Sequence, residues 1–224
     1  MDQAALLREV FPSSGPAWEA AIDYGIDVSL LLGKLEVTPA ERLQQLQRAQ
    51  ARVRAFRTGG RGDTLSVEDE LFHRLVAEEV DFVVVGGVAA AAYGSAMVTD
   101  DLDIAAPFTV ENMRRLLAAV QGLHPRYFMT PDRRPVAEPA EQLATLRNLY
   151  LLTDLGRLDI LGSVPPVGTF EEVARRAERM TIVGHEVRVI SLDDLIAVKA
   201  DIGRPKDRHV ELELRAIREL RARR

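Results

Sequence analysis

A chain of 224 residues, 47% of them hydrophobic and 28% charged, can bury one full core plus a smaller appended element, and this composition excludes wholesale disorder. The formal net charge of −5 argues against a protein that coats nucleic acid by general electrostatics. With no cysteine the chain has neither disulfides nor thiolate metal sites, and its four scattered histidines lack zinc-ligand spacing.

No apolar run approaches the roughly 20 residues that span a bilayer. The opening residues lack the long apolar stretch of an export signal, so a soluble, cytoplasmic protein with no membrane partner is expected. Local arginine patches lie between Arg42 and Arg61 and at Arg221, Arg223 and Arg224; the simplest reading of either is a solvated helix face.

The first sixty residues read as helical, with Leu43, Leu46 and Val53 at helical spacing and a start signal at Thr38-Pro39-Ala40-Glu41. Three glycines in Thr58-Gly-Gly-Arg-Gly-Asp-Thr place a boundary near residue 62, dividing the chain into a helical region, 1–62, and a second domain, 63–224. Ser66 reads as the cap of a helix to about Glu79, with Leu71, Leu75 and Val76 facing a core. Asp81-Phe-Val-Val-Val-Gly then reads as a buried central strand ended by Gly86-Gly87, followed by a short helix from Ala89 to Tyr93 that Gly94-Ser95 closes.

Asp101-Leu-Asp-Ile-Ala alternates polar and apolar residues, which as a strand puts both aspartates on one face. Thr109 caps a helix to about Val120, and Pro131 to Glu141 reads as a mobile loop. Arg147 to Thr153 and Arg157 to Ile160 form a hairpin pair joined at Asp154-Leu-Gly. A helix from Phe170 to Glu178, a second hairpin from Met180 to Ile190 and a helix from Ser191 through Ala200 follow. Gly203 stops that helix, and Pro205 starts a last one from about Lys206 to Leu220.

The chemistry concentrates in Thr99-Asp-Asp-Leu-Asp-Ile-Ala. Carboxylates two residues apart on one strand face stand within roughly 7 Å and repel unless a cation lies between them. Hard oxygen ligands at this separation suit magnesium. A third acid, Asp159, sits in a strand-like segment that could lie beside the first in a mixed sheet, which would make a two-metal phosphoryl-transfer site reasonable. An Asp-x-Asp pair alone is common on solvent-facing strands. The context adds weight, because Gly86-Gly87 leaves a buried strand and opens a helix, where free backbone N–H groups suit an anion such as a nucleoside triphosphate.

Strand, glycine pair, short helix, Gly-Ser95, Thr99-x-Asp101-x-Asp103 and a later strand aspartate, in this order, resemble the nucleotidyltransferase superfamily with a DNA polymerase beta type of core. The likeness extends over roughly residues 80–220 and is greatest to minimal bacterial nucleotidyltransferases, which include toxins of toxin–antitoxin and abortive-infection systems. The resemblance implies an α/β (α+β) fold, a mixed sheet flanked by helices, with the N-terminal helical region added. It implies that Asp101, Asp103 and Asp159 hold Mg2+ or Mn2+ and carry the catalysis. Gly86, Gly87, Ser95, Thr99, Lys199 and Arg204 would bind the nucleotide, with Thr99 orienting the carboxylates and Lys199 reaching the triphosphate. Arg204, Lys206 and Asp207 would order the turn between the last two helices.

The reaction implied is transfer of a nucleoside monophosphate from a nucleoside triphosphate to an acceptor hydroxyl. A transfer RNA 3′ end, a protein side chain or a small molecule would be the acceptor, and an antitoxin a partner. Related sequences often carry a basic residue where this chain has Met97, which leaves three outcomes open: weak nucleotide binding, another arginine such as Arg157 or Arg204 in its place, or activity lost with the fold kept. The alternative is a catalytically silent member acting as a binding or regulatory module. The N-terminal helices are similar to a module that accompanies such domains, with inhibition, partner binding, a dimer interface or simple packing all open as roles.

Overall fold

The computed structural model describes residues 3–11, 13–58, 67–99, 101–182 and 184–223. Its N-terminal helices are α1 (Gln3–Val10), α2 (Pro16–Asp23), α3 (Val28–Leu35) and α4 (Pro39–Thr58). Then come α5 (Val67–Ala77), β1 (Val83–Val84), α6 (Gly86–Tyr93), β2 (Asp101–Ala105), α7 (Val110–Ala119), β3 (Arg126–Tyr127), α8 (Ala140–Leu143), β4 (Asn148–Thr153) and β5 (Gly156–Leu161). The chain continues through β6 (Ser163–Val164), β7 (Gly168–Thr169), α9 (Phe170–Arg176), β8 (Glu178–Ile182), β9 (His185–Val189), α10 (Leu192–Ile202) and α11 (Pro205–Ala222). The side chain of Val53, the boundary near residue 62 and the cap at Ser66 lie outside the described residues.

A mixed sheet runs in the order β3-β4-β5-β2-β1-β9-β8, with β6 and β7 forming a small separate pair. Strands β2 and β5 are parallel neighbours, as are β1 and β9; the remaining ladders of the large sheet are antiparallel. The alternation of Asp101-Leu-Asp-Ile-Ala is realised as expected: Leu102 and Ile104 are buried in the core while Asp101 and Asp103 stay partly open.

Local chemistry explains the element ends. Thr38 and Glu41 cap α4 reciprocally, since each backbone N–H donates to the other's side chain. Thr109 and Ser191 accept from backbone N–H groups at the starts of α7 and α10. Gly203 takes the left-handed conformation that ends α10, at φ 65°, and Pro205 opens α11.

Some boundaries differ from the sequence expectation. The helix after β1 begins at Gly86 rather than Ala89, so the glycine pair forms its first turn. Helix α9 stops at Arg176 because Ala177 is extended and Glu178 already pairs with Val189. Strands β3, β6 and β7 are two-residue ladders, too short for a periodic signal. In the loop expected to be mobile, Glu138 accepts from the Tyr127 hydroxyl at 2.6 Å and pairs with Arg134 at 2.6 Å.

The N-terminal helices join the same hydrophobic core as the sheet, through Trp18, Ile22, Leu31 and Leu43. Helix α2 packs on α11, and α4 packs on α6 and β8. Glu219 of α11 accepts from the N–H groups of Ala17 and Trp18, satisfying the open start of α2. Arg42, part of an expected surface patch, is instead turned inward, donating to the carbonyls of Ala92 and Lys34 at 2.6 Å each.

Ile104 is fully buried on the strand that carries the aspartate pair. Ile104→Ala should cost about 3 kcal/mol of unfolding free energy, measured by urea denaturation, because the surrounding core collapses only partly around the lost atoms. A cost near zero would contradict the central placement of β2.

Candidate active site

The register of β2 against β5 assembles the site. Asp101 lies opposite Arg157 and Asp103 opposite Asp159 across the parallel pair, so side chains of one face meet in a row. Asp101, Asp103 and Asp159 each present a carboxylate oxygen, all within 4.8 Å of one another. Burial raises the pKa of Asp103 to about 6, and repulsion from Asp101 and Asp159 adds to the effect, while Lys199 and the Gly87 N–H oppose it. Burial also lifts the Asp159 carboxyl above its ordinary range, against the pull of Arg157.

The glycine pair is demanded by this geometry. Gly86 has φ 63°, and a Cβ there would stand 1.9 Å from Asp103 Oδ2. A Cβ on Gly87 would stand 2.5 Å from the Thr99 side chain. The start of α6 therefore approaches the carboxylates as closely as backbone can. Thr99 donates its hydroxyl to Asp101 Oδ1 at 2.5 Å, and the buried Gln50 of α4 donates to the Thr99 carbonyl.

The carboxylates open into a cleft of about 250 Å³. Arg157, Lys199, Arg204 and Lys206 line it together with Asp101, Asp103, Asp159 and Asp207, so cations and acids face one another in equal number. Lys199 Nζ donates to Asp207 Oδ1 at 2.9 Å and Arg204 Nε to Asp207 Oδ2 at 2.6 Å. Burial alone would push the Asp207 carboxyl up, but Arg204 and Lys199 together hold it below its ordinary value. Met97 also lines the cleft, with Arg157 and Arg204 as cations in the same lining.

Ser95 is placed differently from the other expected site residues. It is buried outside the cleft lining and donates its hydroxyl to Glu213 of α11, which also accepts from the Ala96 N–H. Its position fixes the turn leading to Thr99. Sequence reasoning did not find Gln50 or Glu213, and no periodic or motif signal marks either. The Arg157–Asp159 pairing was legible in principle, because residues two apart on a strand share a face.

The donor set fits a hard divalent cation. Three carboxylates converge from two strands, two of them raised in pKa by burial first and by mutual repulsion second, and a cation among them would relieve that repulsion. No helix among the described residues is long and apolar enough to cross a membrane.

No family model matches the chain, and no curated protein matches it. Among solved structures, the chain is similar to the antibiotic-resistance factor ANT(2'')-Ia in its solution structure, at 19% identity and a TM-score of 0.43 over 67% of this chain and 82% of that one.

The Asp103 pKa of about 6, above its ordinary 3.8, sets a pH dependence. Between those values the folded chain binds more protons than the unfolded one, so this group's contribution to stability declines as pH rises through the window. A divalent ion offsets the loss by pairing with the ionised carboxylate. The rise in Tm produced by Mn2+ should therefore grow between about pH 5 and about pH 7, and Asp103→Asn should flatten that growth. A Mn2+ increment independent of pH would count against the assignment.

Proposed function

We propose that this protein is a magnesium-dependent nucleotidyltransferase, moving a nucleoside monophosphate from a nucleoside triphosphate to an acceptor hydroxyl. The observation that carries the reading is the convergence of Asp101, Asp103 and Asp159 in a cleft that also holds Lys199 and the start of α6. In this reading Asp101, Asp103 and Asp159 hold the divalent ions. Bound magnesium supplies charge neutralisation for the triphosphate and favours ionisation of the acceptor hydroxyl.

The chain's own groups do the positioning. Lys199, fixed by Asp207, and Arg204 at the mouth of the cleft offer their charges to the phosphates. Gly86 and Gly87 let the triphosphate approach the backbone at the start of α6. The acceptor oxygen attacks the α-phosphorus, the bond to the bridging oxygen of the β-phosphate breaks, and pyrophosphate leaves. Asp159 accepts the hydroxyl proton. Holding the two reactants in line, with charge neutralised, supplies most of the acceleration.

The resemblance to bacterial toxins makes a transfer RNA 3′ end the first acceptor to test, with an antitoxin as its natural restraint; protein side chains and small molecules are the other arms. Purified protein with magnesium and each labelled triphosphate, mixed with total RNA, cell protein or a small-molecule extract, should transfer label to one fraction. Asp101→Ala should lower that transfer by at least about a hundredfold.

A second reading, a silent module, draws on the Arg157–Asp159 pair, which already neutralises one carboxylate from within the chain. Failure of any triphosphate to bind by calorimetry, with or without magnesium, would favour the module and contradict the enzyme.

A further inference from the structure

The third carboxylate of the cleft already has a cation. Arg157 Nε donates to Asp159 Oδ1 at 2.7 Å, and Nη2 donates to Oδ2, so both oxygens of Asp159 are engaged by one planar fork. Nη1 stands 3.8 Å from Asp101 Oδ2. On its other side the guanidinium lies over the Phe128 ring, 4.3 Å from the centroid. Phe128 is anchored to the sheet edge, its N–H donating to the Tyr150 carbonyl at 2.9 Å. The arginine is thus held between an aromatic face and the acids rather than extended into solvent.

The other two carboxylates are engaged differently. Asp101 accepts from the Thr99 hydroxyl and Asp103 from the Gly87 N–H, and neither has a bidentate cation. The forked guanidinium takes one lone-pair direction of each Asp159 oxygen and sets a positive charge against the carboxylate, so a divalent ion ligated there at about 2.0–2.6 Å meets both competition and repulsion. An ion can therefore enter between Asp101 and Asp103 while Arg157 stays in place, whereas an ion that uses Asp159 competes with it.

We propose that Arg157 is a resident counter-ion that occupies Asp159 until metal and triphosphate arrive together, so that the site loads fully only with substrate. The proposal rests on the metal-site reading above and deepens it. Arg157 acts through Asp159 and is a positioning residue. The triphosphate's negative charge offers the released guanidinium a new partner, while Phe128 keeps it at the cleft. Without substrate, the pair leaves Asp159 neutralised and the cleft ordered.

The test is Mn2+ binding without nucleotide, followed by the loss of the free-ion electron paramagnetic resonance signal and by calorimetry. Arg157→Gln should bind Mn2+ about tenfold more tightly than the natural chain, because no guanidinium competes for Asp159. Arg157→Lys should fall between the two, and it keeps the test alive if Arg157→Gln fails to fold. Adding Asp159→Asn to Arg157→Gln should abolish the gain.

A purely structural arginine would give the opposite pattern: a lower Tm in chelator, with Mn2+ affinity unchanged or weakened. That result would overturn the proposal while Asp101→Asn still abolished Mn2+ binding in the natural chain. If the natural chain's Mn2+ binding were indifferent to Asp101→Asn, the metal-site reading would fail, and the counter-ion proposal with it.

Discussion

Three carboxylates held within 4.8 Å of one another repel, and much of the structure around them serves to make that repulsion tolerable. The hydroxyl of Thr99, the N–H of Gly87, the ammonium of Lys199 and the guanidinium of Arg157 each meet part of the negative charge. Close approach of the α6 backbone is part of the same solution, because the partial positive charge of helix N–H groups acts strongly only at short range. Any side chain at Gly86 or Gly87 would push the helix start away from the acids. The cluster is thus held together with part of its negative charge met from within the chain.

A second set of buried acids holds the frame. Asp207 is fully buried and fixes Lys199 and Arg204 at the cleft, while Glu213 fixes the turn through Ser95 and Ala96 that leads to Thr99. Glu211 is paired with Arg208 and Arg215. Burying unpaired carboxylates would be costly, so each acid on α11 comes with its partners. The N-terminal helices take part as well, with Gln50 donating to the Thr99 carbonyl and Arg42 to the end of α6. They are therefore in direct contact with the segment that presents the first aspartate.

Elements with a strong local signal were legible in the sequence. The alternation of Asp101 to Ala105, the cap residues Thr38, Thr109 and Ser191, and the stop at Gly203 each follow from side-chain chemistry within a few residues. The meeting of Asp103 with Asp159 was foreseeable as adjacency of two strands, though its register depends on pairing across more than fifty residues. Gln50 and Glu213 were not legible, because their roles arise only when distant helices pack against the loop before β2. Ser95 shows the limit of motif reasoning: its place in the Gly-Ser motif suggested a nucleotide contact, whereas its hydroxyl is spent on α11.

The central claim is that the cleft holds divalent ions on these three acids and a triphosphate beside Lys199. Anomalous diffraction from crystals grown with Mn2+ and a non-hydrolysable triphosphate tests it most directly. Manganese density is expected between the carboxylates of Asp101 and Asp103, with Asp159 turned to the same cluster and phosphates directed at Lys199. A triphosphate bound elsewhere on the protein, or a cleft without manganese under saturating conditions, would contradict it.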